Sequence, residues 1–271
     1  MIYFDKLSSL DAAITRAESA PYSASSHRLK DPDSDFRSHD SFDESMRDAR
    51  NGWSDGLKKL QSKIKVNQLP MTRSTVWTIK PDVNDGRLKI NRLLNGSEKP
   101  FDRRRRSIHE SRAGAGKVIR IVYQTAASAI VDANTLYERG ALVMALHDAL
   151  STVGYSIEID LVSAWKETNG RGGDQYVQVI TVKSAGSTLA PDRLVYALCA
   201  SDMLRRVGFG LAETYSNRAL SNRITENSYW YPTNWTPPED QNTINVPTMI
   251  GALSTKWIAS ELSRFGIEVS P

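Results

Sequence analysis

The chain of 271 residues is 40% hydrophobic and 24% charged, which fits one large domain or two small ones with a real apolar core. Its single cysteine, Cys199, rules out an intramolecular disulfide and points to a reducing compartment. The net charge of +4 hides an asymmetry, because residues 57–120 carry 17 basic and 5 acidic side chains while the segments on either side are each net acidic. A uniform +4 attracts little, whereas such a concentration attracts a polyanion.

In chain order, MIYFDKLSSLDAA lacks the basic and then apolar segments of a secretory signal. Residues 1–20 are expected to form a short helix, capped by Ser8 or Ser9, with Leu10, Ala13, Ile14 and Ala17 on one face. Residues 21–40 are rich in Ser, Asp and Pro and should be loop. SFDE is a capping box in which Ser41 caps a helix that stops near Asn51-Gly52. A second helix is expected from Ser54 to about Ile64, with Trp53 as a packing anchor at the joint.

Beyond it, STVWTI suits a strand, PDVNDG a turn, and INRLLNG a helical turn ended by Gly96. KPFDRRRRSIHESRAGAG has the composition of a charged linker. From residue 117 the pattern becomes regular. VIRIVY is a strand, LYERGALVMALHDALSTVG a buried helix ended by Gly154, and YSIEIDLVSAW and YVQVITVKS are two more strands. Pro191 opens a helix expected to run through LVYALCASDMLRR. No apolar run approaches the ~20 residues that span a bilayer, so no membrane partner is expected.

HDALSTVGYSIEI and ASELSRFGIEV echo each other as helix, glycine stop and strand. Between them, residues 228–247 form a long aromatic, proline-rich arm with Tyr229, Trp230, Tyr231 and Trp235. The arm either wraps the protein's own surface or docks on another chain.

The predicted organisation is a helical N-terminal region over 1–65, a basic linker or extension over 66–116, and an α/β domain over 117–271. The fold class is α/β, or α+β overall, with a three-layer sheet domain in the second half.

Several chemical readings fail on spacing. Gly116-Lys117 is followed by Val118 and precedes a strand, whereas a P-loop needs G-x-x-x-x-G-K-[ST] between a strand and a helix. His27, His39, His109 and His147 show no zinc spacing, and His147 suits a structural role. Cys199 on a helix suits a small core residue. Glu158 and Asp160 share one strand face, which is most simply a solvated one. No cofactor, metal or catalytic residue is expected.

The strongest signal is Arg103-Arg104-Arg105-Arg106, with Arg112 and Lys117 beyond it. Arginine forks onto phosphate oxygens, and such binding weakens steeply with salt. The leading expectation is therefore a non-enzymatic protein that binds the phosphate backbone of nucleic acid. The alternatives are a structural protein that docks on a partner or on its own copy through the arm, and an enzyme using Ser128, Asp132 and Asp160 near the strand ends.

Two resemblances bear on this. A strand, a small polar loop, a buried helix and a second strand resemble the start of a von Willebrand factor A domain. At the places of that family's Asp-x-Ser-x-Ser stand Gln124, Ala126 and Ser128, which supply too few oxygens for a divalent cation. Separately, SFDESMRDARNGW, ERGALVMALHDALSTVGYSIEI and MLRRVGFGLAE resemble an uncharacterised family encoded by bacteriophages and related mobile elements. The matching residues are Ser41, Phe42, Glu44, Asn51, Gly52, Trp53 and Gly56, then Arg139, Gly140, Ala141, Gly154, Tyr155 and Glu158, then Leu204, Arg205, Arg206, Gly208 and Phe209. That resemblance implies a viral setting, in the host cytoplasm or the virion; joined to the arginine run, it makes genome handling or virion assembly the expected task.

Overall fold

The computed structural model describes residues 1–20, 37–63, 73–82, 87–88, 92, 95, 101–110, 116–128, 130–167, 173–226, 230–238, 240–248, 253 and 255–267. The chain opens with strand β1 (Ile2–Leu7), followed by helix α1 (Leu10–Glu18). The strand was missed in the sequence because its inward positions are Tyr3, Asp5 and Leu7, and the acid interrupts the apolar alternation. Asp5 is buried but compensated: Arg16 donates to both its oxygens at 2.8 and 2.7 Å, and the Tyr176 hydroxyl donates at 2.7 Å. Ser9 caps α1 by accepting the Ala12 N–H, and Leu10, Ala13, Ile14 and Ala17 are buried as expected.

Helices α2 (Phe42–Asn51) and α3 (Ser54–Lys63) follow the predicted boundaries. The Ser41 hydroxyl accepts the Glu44 N–H at 3.1 Å, and Gly52 ends α2. Trp53 packs in the joint against His39 and Tyr137.

Next comes a separate three-stranded antiparallel sheet of β2 (Arg73–Asp82), β3 (Arg87–Leu88) and β4 (Phe101–Glu110), with β4 in the centre. The arginine run is thus part of a strand, not of a linker. Residues 83–86 and 96–100, including most of the expected turn and Gly96, lie outside the described residues.

The main sheet is built from β5 (Val118–Gln124), β6 (Ser156–Lys166), β7 (Gln175–Lys183), β8 (Tyr231–Pro232), β9 (Thr243–Val246) and β1. Its order is β1-β7-β6-β5-β9. Strands β5, β6 and β9 run parallel, β7 returns antiparallel to β6, and β1 lies parallel to β7. Helix α4 (Ala133–Thr152) makes the β5-to-β6 crossover, as a parallel pair requires. Where β5 ends, β8 takes its place beside Trp165 and Lys166 of β6.

Register divides the sheet into two faces. One carries Ile119, Ile121, Tyr123, Ile157, Ile159, Leu161, Ile180, Val182, Ile244 and Val246, which share a core with residues from α1–α4 and α5 (Pro191–Cys199). The other carries Val122, Val162, Ala164, Val177 and Val179, against which Trp235 of the aromatic arm packs. Among the described residues the helices lie on the first face and the aromatic arm on the second, and the α/β class holds. The same core includes Leu10, Met46 and Leu60 from the first 63 residues.

Pro191 opens α5, which ends at Cys199, earlier than predicted. Ala200 is extended, and the chain restarts as a π-helical turn (Met203–Gly208) running into α6 (Phe209–Glu213). Helices α7 (Arg218–Glu226) and α8 (Thr255–Arg264) complete the layer.

The helix and glycine stop of the echo recur in the backbone, while residues 268–271, where the second strand is expected, lie outside the described residues. After α4, the Gly154 N–H bonds the Ser151 carbonyl and the Tyr155 N–H bonds that of Leu150. After α8, Gly266 bonds Ser263 and Ile267 bonds Leu262 in the same pattern. Both are Schellman caps, which need a left-handed residue, and the glycines have φ of +95° and +72°. Tyr155 and Phe265 then meet edge-to-face at 5.8 Å.

Gly140 is required for another reason. A Cβ there would lie 2.0 Å from the Leu198 carbonyl oxygen, so α4 and α5 touch backbone to backbone. Gly140→Ala is expected to lower stability by about 1–3 kcal/mol, read as a lower urea midpoint with an unchanged slope. A midpoint equal to wild type would contradict this packing.

Candidate functional site

The chemistry of the body centres on the π-helical turn, whose sequence MLRRVG puts two adjacent arginines at 1% and 0% exposure. A buried guanidinium must find acceptors, because desolvating an unpaired charge is costly. Successive helical residues point in different directions, and each arginine reaches a different loop. Arg206 donates to the carbonyls of Ser41 and His39, the latter at 3.0 Å. Arg205 donates to the carbonyls of Val131 and Ser128. The first loop enters α2 and the second enters α4.

Asp202 supplies the compensating charge. Its Oδ1 lies 3.3 Å from Arg206 Nε, too bent for a hydrogen bond but close enough for an ion pair. Its Oδ2 accepts a 2.5 Å bond from His39 Nδ1. The other ring nitrogen of His39 faces Asp48 at 3.3 Å, again without hydrogen-bond alignment. Trp53 and Tyr196 flank the imidazole at centroid distances of 5.1 and 5.7 Å. Ser38 completes the tie by accepting the Ser201 N–H at 2.9 Å.

Between the two tied loops opens a cleft of about 390 Å³ lined by Arg37, Trp53, Lys59, Asp132, Asn134 and Tyr137, among others. Lys59 Nζ sits 4.2 Å over the Tyr137 ring and 3.4 Å from Asn134 Oδ1. Tyr137 is itself buried, donates its hydroxyl to the Gly56 carbonyl at 2.9 Å, and has its ionisation pushed well up by burial. Asp132 caps α4, accepting the Thr135 N–H at 2.6 Å, and that bond lowers its pKa. Three stretches far apart in sequence therefore converge here: SFDE…NGW, the RGA helix and LRR-x-GF.

The predicted contacts have mixed fates. Arg103, Arg104, Arg105 and Arg106 occupy β4, in register with Lys80, Ile79, Thr78 and Trp77 of β2. Arg112 lies outside the described residues, and Lys117 is exposed before β5. Tyr229 is also outside them. Trp230 is buried at 6% and donates its indole N–H to the Arg223 carbonyl at 3.1 Å. Trp235 meets Phe4 edge-to-face at 5.3 Å, and its carbonyl accepts the Gln124 amide. Tyr231 stays exposed at 63%. Most of the described arm thus wraps the protein itself.

Ser128, Asp132 and Asp160 do not converge. Asp160 lies on the arm's face of the sheet, bound to Arg120 and accepting the Thr181 hydroxyl at 2.6 Å, while Asp132 is the cap of α4. Glu158 shares Arg120 as a partner. His147 contacts neighbouring Asp148, and Cys199 is buried with its thiol pKa pushed up by desolvation. Gln124 and Ala126 are buried, and no group of three metal-ligating side chains exists among the described residues. His39, Asp202 and the roles of Arg205 and Arg206 were missed. Their one available signal was an Asp four residues before an Arg inside an apolar helical run.

By fold the protein is an α/β protein with a mixed six-stranded sheet. A family model described as a domain of unknown function (DUF7192) matches residues 1–263, and the chain belongs to that family. Neither the curated proteins nor the solved structures contain a match.

Removing Asp202 leaves Arg206 buried without its carboxylate. Asp202→Ala is expected to cost about 3–5 kcal/mol in denaturant unfolding. Asp11→Ala, which breaks the exposed pair to Arg193, should cost at most about 1 kcal/mol. Equal losses in the two variants would contradict the buried network.

Proposed function

We propose that this chain is a non-enzymatic nucleic-acid-binding protein of a phage or mobile element, acting in genome handling or virion assembly. Its main contact is the basic sheet β2–β4–β3, with Arg103 to Arg106 on phosphates and Arg112 and Lys117 extending the path. The observation that supports it is charge on regular structure. The 22 residues of these strands carry seven Lys or Arg and three Asp or Glu.

By the two-residue period of a strand, positions 103 and 105 belong to one face and 104 and 106 to the other. Lys80 pairs with 103, and Trp77 pairs with 106. An antiparallel sheet with basic positions on both faces is a poor core element. It suits a strand-based nucleic-acid reader, in which arginines grip phosphate and an aromatic meets a base. The phage-like words SFDE…NGW, RGA and LRR-x-GF support the viral setting.

Docking through the aromatic arm is the weaker reading, since Trp230 and Trp235 are engaged within the protein. Filter binding to single- and double-stranded oligonucleotides at rising salt tests the proposal. Binding at ~50 mM salt should fall steeply toward ~200 mM. Replacing all four arginines with Ala should weaken it at least about tenfold and reduce the logarithmic salt slope by about 3 to 4 on duplex. Absence of binding at low salt, or an unchanged slope, would sink it.

A further inference from the structure

The ladder between β2 and β4 has two unlike faces. Register places Arg73, Thr75, Trp77, Ile79 and Pro81 of β2 on one face, opposite Glu110, Ile108, Arg106, Arg104 and Asp102 of β4. Arg87 of β3 joins that face, in register with Asp102. Each acid of this face therefore has an arginine in register with it, Asp102 with Arg87 and Glu110 with Arg73. Opposite charges paired across strands stabilise a sheet. The middle of the face is left with two arginines that have no acid opposite. Arg106 is in register with Trp77, and Arg104 with Ile79. Directly opposite Cβ atoms lie about 5 Å apart and diagonal ones about 7–8 Å, within reach of aromatic and long side chains. Trp77 thus has Arg106 directly across from it and Arg104 on the diagonal of the same face.

The other face is arranged differently. Lys80 is in register with Arg103, a like-charge pair, and Thr78 with Arg105. Its Phe101 stands at the end of the ladder, opposite the acid Asp82. It has cations for a polyanion, but none of them is in register with an aromatic residue.

A sheet face closed by packing excludes charge that has no counter-charge. Stacking of a base asks for the opposite, an aromatic surface with cations beside it to hold the phosphates. A base inside a duplex already stacks on its neighbours, and withdrawing it costs both pairing and stacking. An unpaired base carries neither cost.

We infer that the β2–β4 ladder binds single-stranded nucleic acid, with one base stacked on Trp77 and the adjacent phosphates on Arg104 and Arg106. This rests on the nucleic-acid reading of the basic sheet, and it names the strand state that is bound and the face that reads it.

Fluorescence anisotropy of the full chain with labelled thymidylate and uridylate dodecamers and a mixed-sequence duplex of the same length tests this at ~50 mM salt. Both single strands should bind at least about fivefold more tightly than the duplex. Trp77→Leu keeps an apolar residue but removes the stacking surface. It should weaken the single strands about five- to 150-fold and leave duplex affinity within about twofold of wild type. Trp77→Phe keeps a ring and should lose less than about threefold, which decides the matter should the leucine variant fail to fold. Replacing Arg104 and Arg106 together with Ala should weaken single-strand binding more than replacing Arg103 and Arg105. The tighter of the two single strands identifies DNA or RNA as the source, and either order supports the platform. Absence of binding to all three oligonucleotides would overturn the nucleic-acid reading itself. Preference for the duplex, wild-type affinity in Trp77→Leu, a phenylalanine variant as weak as the leucine one, or equal losses in the two arginine pairs would overturn the stacking assignment and leave that reading standing.

Discussion

The fold depends on one buried carboxylate. Asp202 is fully enclosed and meets His39 on one oxygen and Arg206 on the other. Without it, a guanidinium and an imidazole would face each other in a desolvated site. With it, the arginine can reach two main-chain carbonyls, those of His39 and Ser41. Ser41 is also the cap of α2, so one network fixes the entry of the N-terminal helices onto the body. Arg205, one residue earlier, does the same for the loop between β5 and α4. The extended Ala200 breaks α5, and the helical geometry that restarts after it aims both side chains outward to loops.

The two faces of the sheet have different tasks. The helical face holds most of the core and, at the ends of its helices, the cleft. The other face is a small valine-rich cluster closed by Trp235, whose carbonyl and ring hold Gln124 and Phe4. A long arm without periodicity looks free in sequence. Here Trp235 is the cover that the second face lacks, while Trp230 packs with Trp165, Tyr176 and Leu220 on the helical side. The basic strands pair in a sheet of their own, separate from the main sheet.

Local signals in the sequence were reliable where one residue type has one physical use. Ser41 and Ser9 cap helices, Pro191 opens one, and Gly154 closes one. The β5, α4, β6, β7 series was legible because its apolar runs are long. Other elements were hidden by polar residues in apolar places. Asp5 concealed β1, and its partners Arg16 and Tyr176 lie 11 and 171 residues away. Four arginines concealed β4, because charge on both faces erases the alternation by which strands are recognised. The cleft was illegible for the same reason. The buried network that holds its loops pairs His39 with Asp202 across 163 residues, a distance no local pattern carries. LRR was noticed as a word, but its burial only makes sense once the loops it holds are in place.

Sequence and packing thus meet at the π-helical turn: it sets the two loops, and the loops set the cleft between them. The most direct test is amide hydrogen exchange in Arg206→Met and Arg205→Met. Arg206→Met should lose protection chiefly in residues 38–45, and Arg205→Met chiefly in residues 128–136. Unchanged protection in both loops, or the same loss in both variants, would contradict the assignment of one arginine to each wall.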